Sequence, residues 1–132
     1  MTQEIKEAAL TFLKWFSTID KTQSEVNIKE VGEYIAEDIC FYLNGELLAK
    51  GLSAYCERIN TLFSSIKSLQ MHFPLVNLVV EDNQAAINYL ETIVFKNGAT
   101  KQLVNGMFLH FDTQGKINRL YDVFNGGDPA VS

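Results

Sequence analysis

The residues of this chain that could do chemistry are few, and most sit in apolar company. "RLYDVFN" (119–125) places Asp122 among Leu120, Tyr121, Val123 and Phe124. A carboxylate on an apolar strand face loses its water, and its pKa climbs toward a value useful to a general base. The plainer alternatives are a carboxylate satisfied by an asparagine or a tyrosine hydroxyl, or one turned outward by a bulge. His72, in "MHFP", can exchange protons near neutral pH, or serve as an ordinary rim histidine. Strict alternation gives it the opposite parity to Asn77, and a bulge at Pro74 would bring it inward. Tyr42, in "FYLNG", stands where it could donate to a substrate oxygen or simply pack. Asn44, Asn77, Asn88 and Asn105 can orient a ligand but cannot act as bases. Met107, Trp15 and Phe124 read as pocket wall or core.

Other chemistry is poorly represented. His72 and His110 have no metal-ligand spacing, and neither do Cys40 and Cys56, which read as a buried pair of reduced thiols. "NGGDP" (125–129) is not followed by a helix and cannot cradle a phosphate. No serine or cysteine sits in a nucleophile elbow. No metal and no cofactor is expected. The net charge of −5, with eleven basic residues scattered from Lys6 to Arg119, argues against a nucleic-acid partner. The opening "MTQEIKEAALTFLKWF" is interrupted by charges, so neither a signal peptide nor a membrane span is expected there, and a cytoplasmic location follows by default.

The elements that must position these residues follow from periodicity. At 132 residues the chain is expected to form one domain (1–132), with a loose tail from about 126. Thr2 can cap a helix whose inner face is Ile5, Ala8, Ala9, Phe12, Phe16 and Ile19, ending near Asp20 before the connector "KTQSEV". Asn27 and Glu30 have capping-box spacing for a short helix carrying Ile28, Val31 and Ile35. "ICFYL", Asn44-Gly45 and "ELLAK" form a hairpin. Ser53 then caps a third helix with Tyr55, Ile59, Leu62, Phe63 and Ile66 inward. Four strands complete the chain, at Leu69–Glu81, Ala85–Lys96, Thr100–Asp112 and Lys116–Phe124. Helices followed by a long meander predict an α+β fold, a curved antiparallel sheet wrapped into a cone around the helices.

Two-residue turns at Asp82-Asn83, Asn97-Gly98 and Gln114-Gly115 would fix the register. They pair Asn77 with Asn88, Asn88 with Met107, and Met107 with Asp122. Without bulges one face then carries Leu75, Asn77, Asn88, Leu90, Asn105, Met107, Leu109, Leu120, Asp122 and Phe124. The opposite face carries Tyr89, Glu91, Phe108, Tyr121 and Val123, among others. The first face suits a helix-covered pocket. The second is too apolar for water and has no helix left to cover it, so a homodimer through the outer sheet face is expected.

This order of elements resembles the nuclear transport factor 2-like superfamily, which includes ketosteroid isomerases, limonene-epoxide hydrolases and SnoaL-like polyketide cyclases. The likeness rests on "YIAEDICFYLNGELLAKG" (34–51), "MHFPLVNLVVEDNQAAINYLE" (71–91) and "FDTQGKINRLYDVFN" (111–125). Tyr42 and Asn44 resemble the water-positioning tyrosine and asparagine of the epoxide hydrolases, and Asp122 their late-strand acid. The remaining arginine and aspartate of those enzymes fall near "YLETIVF", where the expected register offers Leu90 and Thr92. The carboxyls of ketosteroid isomerases have no counterparts, since Leu43 and Met107 fall at those positions. His72 resembles the histidine of SnoaL-like and dehydratase members. The resemblance implies a small, largely apolar organic molecule in the cone. Asp122 would act as base in isomerisation, dehydration, cyclisation or water addition, with Tyr42 or His72 polarising an oxygen. A non-catalytic ligand-binding or dimerisation module of the same fold is the alternative.

Overall fold

A computed structural model describes residues 2–19 and 25–125. The expected helix end at Asp20, most of the connector, the Thr2 cap side chain and the tail from 126 lie outside the described residues. The element order is α1 (Thr2–Thr18), α2 (Ile28–Val31), β1 (Ile35–Leu43), β2 (Glu46–Lys50), α3 (Leu52–Ser65), β3 (Ile66–Met71), β4 (Asn77–Glu81), β5 (Gln84–Phe95), β6 (Thr100–Phe111) and β7 (Ile117–Val123). The strands form one curved, open sheet in the order β2-β1-β7-β6-β5-β3, with β4 also paired to β5. Every pairing is antiparallel except β1 with β7. That parallel contact brings the early hairpin beside the last strand and opposes Leu43 to Asp122.

The helices form where the apolar spacing placed them. On α1, Ile5, Ala9, Phe12 and Leu13 are buried against the inner face of the sheet. Asn27 caps α2 by accepting from the backbone N–H groups of Lys29 and Glu30. The reciprocal half of the box is not made, because the Glu30 carboxylate accepts a 2.7 Å bond from Trp15 Nε1 instead. Gly51, with φ +95°, precedes α3 and no side chain caps that helix, so Ser53 does not have the expected role. Ile35 and Ile66 begin strands rather than extending helices. Asn44 and Gly45 both take positive φ, as a tight hairpin turn requires.

The expected strand Leu69–Glu81 is two strands. β3 pairs with the distal half of β5 and β4 with its proximal half, and the chain breaks between them around a cis Phe73-Pro74 bond. Asn77 opposes Asn88, as the Asp82-Asn83 turn requires.

The largest departure is the β5–β6 loop. It has three residues, Lys96 to Gly98, closed by Phe95 N–H to Ala99 O at 2.8 Å, with Gly98 at φ +91°. The ladder therefore moves by one residue. Tyr89 opposes Asn105 and Asn88 opposes Gly106, where a two-residue turn would oppose Asn88 to Met107. A one-residue slip exchanges strand faces. Ile87, Tyr89, Glu91 and Ile93 point into the core, while Asn77, Asn88 and Leu90 are on the outer side.

The β6–β7 loop also has three residues, 113 to 115, closed by Asp112 N–H to Lys116 O. A bulge between His110 and Phe111 then takes the offset back out. Met107 opposes Asp122 and Leu109 opposes Leu120, as a two-residue turn without a bulge would also have given.

Candidate functional site

The concave face of the sheet and helices α1 and α3 enclose a cavity. Its apolar walls come from Phe12, Leu13 and Phe16 on α1, Ile59 and Leu62 on α3, and Leu69, Met71, Met107 and Phe124 on the sheet side. The space open to the centre of a water molecule is about 60 Å³. That suffices for roughly four water-sized groups, so a larger occupant would require the flexible Met71, Met107 and Leu62 side chains to shift.

Five polar side chains reach this cavity: Tyr55, Arg58, Tyr89, Glu91 and Asp122. Asp122 is the centre of the group. Tyr89 Oη donates to Asp122 Oδ1 over 2.9 Å. No described residue donates to the other oxygen, Oδ2, yet no half-buried or buried side-chain oxygen is sealed from solvent without a partner. Oδ2 is therefore the oxygen left without a donor among the described residues, on a side chain that lines the cavity. Loss of water pushes the Asp122 carboxyl up to about 7, against the opposing Tyr89 hydrogen bond and Arg58 charge. Burial also raises the Tyr89 hydroxyl well above its ordinary value, helped by the negative charges of Asp122 and Glu91. Tyr55 is raised chiefly by burial and secondly by Asp122. Asp122, Tyr55, Tyr89 and Glu91 all line this one cavity, where charges are poorly screened.

Sequence reasoning located Asp122, Met107 and Phe124 at the cavity and missed Tyr89, Glu91 and Arg58. The first two were placed on the wrong face by the loop length. The signal was present in β5, whose odd positions, Ala85, Ile87, Tyr89, Ile93 and Phe95, alternate as a bulky apolar face. Leu90 and Thr92 are not the inward positions; Tyr89 and Glu91 are. Arg58 shares a helix face with Tyr55, Ile59 and Leu62, a spacing that marks it as inward despite its charge.

Several expected site residues belong elsewhere. Tyr42 lies on the outer face, its ring stacked on Tyr121 at 4.6 Å. Parity alone sends it there, because Phe41 and Leu43 are the buried positions. His72 is not brought inward by the break at Pro74. Met71 takes the cavity position, and His72 Nε2 stands 2.7 Å from Thr92 Oγ1. Asn44 pins the last strand, donating to Phe124 O and accepting from Phe124 N–H. Asn77 donates to Asn88 on the outer face. Trp15 stacks on Tyr34 at 4.5 Å. Asn105 is buried behind the cavity, donating to Glu91 Oε1 at 3.5 Å and accepting from Asn125 N–H at 2.9 Å. Cys56 is buried and Cys40 half-buried, both as thiols.

No family model and no curated protein matches the sequence. Solved structures do match the fold. A candidate polyketide cyclase from Xanthomonas campestris superposes with a TM-score of 0.78 at 20% identity, covering 94% of this chain and 92% of that one. A SnoaL-like polyketide cyclase from Agrobacterium tumefaciens gives 0.71 at 21% identity, covering 92% and 91%. A nuclear transport factor 2-like protein from Anabaena variabilis gives 0.74 at 14% identity, covering 96% and 92%. The chain has the nuclear transport factor 2-like fold. Among the described residues, no helix is long and apolar enough to cross a membrane, and no group of three His, Cys, Asp or Glu side chains could hold a metal ion.

Proposed function

We propose that the cavity binds a compact, largely apolar organic molecule and that Asp122 is the proton acceptor of its chemistry. The carrying observation is a carboxylate that lines an apolar cavity with one of its oxygens held by Tyr89. In a cofactor-independent step, a C–H bond beside a carbonyl breaks and its proton passes to Asp122 Oδ2. The electron pair moves onto the carbonyl oxygen. Returning the proton to another carbon completes isomerisation; replacing it on the carboxyl by a solvent hydron before return to the same carbon gives exchange. Tyr55 and Arg58, both at the cavity, replace Tyr42 and His72 as the groups able to meet that oxygen. Two structural neighbours, a SnoaL-like polyketide cyclase and a candidate polyketide cyclase, support this direction, as does the co-crystal of another, TerC, with polyporic acid.

The direct test is α-proton exchange of cyclohexanone in D2O, followed by proton NMR. Acceleration by the wild type and its loss in Asp122→Asn are expected. Chemical-shift changes at Met107 and Tyr89 without any exchange would establish the alternative, a non-catalytic binding module.

We propose further that two copies pair through the outer sheet face. Val79, Val104 and Val123 there are 65%, 54% and 61% exposed, beside the half-buried aromatics Tyr42, Phe108 and Tyr121. A contiguous uncharged patch of this kind supports association. The readout is sedimentation of the wild type against Val104→Asp/Val123→Asp.

A further inference from the structure

Behind the cavity a row of polar groups runs from the end of the chain's last strand to Asp122, and their donor directions are fixed. The row starts at the backbone N–H of Asn125, which can only donate, and it donates to Asn105 Oδ1 at 2.9 Å. The orientation of a side-chain amide is assigned from its partners, and here the assignment has one solution. With Oδ1 committed to Asn125, the Asn105 NH2 must face the other way. From a strand position directly opposite Tyr89, it donates there to Glu91 Oε1 at 3.5 Å, and its N–H favours negative charge on the Tyr89 oxygen. A hydroxyl that accepts from Asn105 is directed to donate its own proton onward. Tyr89 donates to Asp122 Oδ1.

We propose that Asn125, Asn105 and Tyr89 form a directed hydrogen-bond chain that keeps Asp122 Oδ1 an acceptor and makes Oδ2 the atom that gains and loses the proton. Tyr89 and Asn105 are positioning residues in this account. They touch no substrate; they fix which oxygen reacts. The inference rests on Asp122 being the reacting group.

The groups facing Asp122 are Tyr89 and Glu91 on β5, and Tyr55 and Arg58 on α3. Of these, Tyr89 holds it by a hydrogen bond and Arg58 by charge, and both favour the ionised carboxylate. Oδ1 has no other donor among the described residues, so deleting the Tyr89 hydroxyl removes its partner outright.

The chain is also closed at its far end by Asn44, whose amide brackets the backbone of Phe124 from the other side. Docking of residues 124–125 and the orientation of the Asp122 carboxyl are thereby parts of one arrangement. This explains why two asparagines expected to contact a ligand instead grip the backbone.

Carbon-13 NMR titration of the Asp122 carboxyl tests the proposal without any ligand. Tyr89→Phe should raise its pKa by about one unit, the size of a hydrogen bond to a charged group. Asn105→Ala should raise it by less. A 3-fluorotyrosine placed at position 89 is a stronger donor of nearly the same shape and should lower it, keeping the test available if Tyr89→Phe does not fold. Tyr42→Phe removes a hydroxyl on the outer face and should leave the value in place. A raised wild-type pKa that neither change at position 89 moves overturns the chain. A wild-type value near the unperturbed ~3.9 overturns the base assignment instead.

Discussion

Tyr89 and Asp122 stand on strands that do not touch. β6 runs between them, yet the two side chains meet over β6 with a 2.9 Å hydrogen bond. The sheet must curve for this to happen, and its curvature also forms the cavity. The bond is at once a measure of the cone and the feature that orients its carboxylate.

A carboxyl whose folded pKa lies near 7, above the unfolded ~3.9, links stability to pH. Between these values the folded state holds more protons than the unfolded one, so the stability contributed by the neutral carboxyl is complete below about pH 4. It is lost as pH rises through 7. Asp122→Asn removes the buried charge and keeps an oxygen for Tyr89. The variant should be more stable than wild type at pH 8, by about 2–4 kcal/mol, and nearly equal at pH 4. Urea denaturation at the two pH values checks this.

His72 and Tyr42 are outside the cavity, so His72→Ala and Tyr42→Phe should leave any cavity ligand's affinity within about twofold. Met107→Trp should abolish binding, because the space open to the centre of a water molecule is only about 60 Å³ and the added indole would fill it. Titration of cyclohexanone by chemical shift separates the three variants.

Gly98 at φ +91° sets the three-residue loop that decides the faces of β5. Gly98→Ala should destabilise the fold by about 1 kcal/mol, the penalty of a side chain in the left-handed region. Gly98→Asn should cost less, since asparagine tolerates that conformation. Thermal unfolding of both variants gives the comparison.

Outer-face charges should dissociate the proposed dimer without touching the cavity. Val104→Asp/Val123→Asp is expected to sediment as a monomer with unchanged Asp122 titration. A wild type that is itself monomeric at high concentration would contradict the pairing.

The helix faces, the early hairpin and the inward position of Asp122 were legible because apolar spacing is a direct record of burial. The inward Asp122 owed something to cancellation, since a loop one residue longer than expected was offset by a bulge at His110/Phe111. No such bulge offsets the β5–β6 loop, and Tyr89 and Glu91 were assigned to the wrong side. Asn-Gly fits both a two-residue turn and the end of a three-residue loop, and only the backbone separates them. Asn44, Asn77 and Asn88 looked like ligand contacts because residue type does not tell whether an amide serves a ligand, a neighbour or the main chain. Asn105 was placed on the correct face, but its partners became visible only once Tyr89 joined it there.

The central claim is that a cavity-facing carboxylate is desolvated enough to exchange protons near neutral pH. Carbon-13 titration of Asp122, assigned with Asp122→Asn, measures that property directly. The account predicts a midpoint of about 7; a midpoint at or below ~3.9 would contradict it.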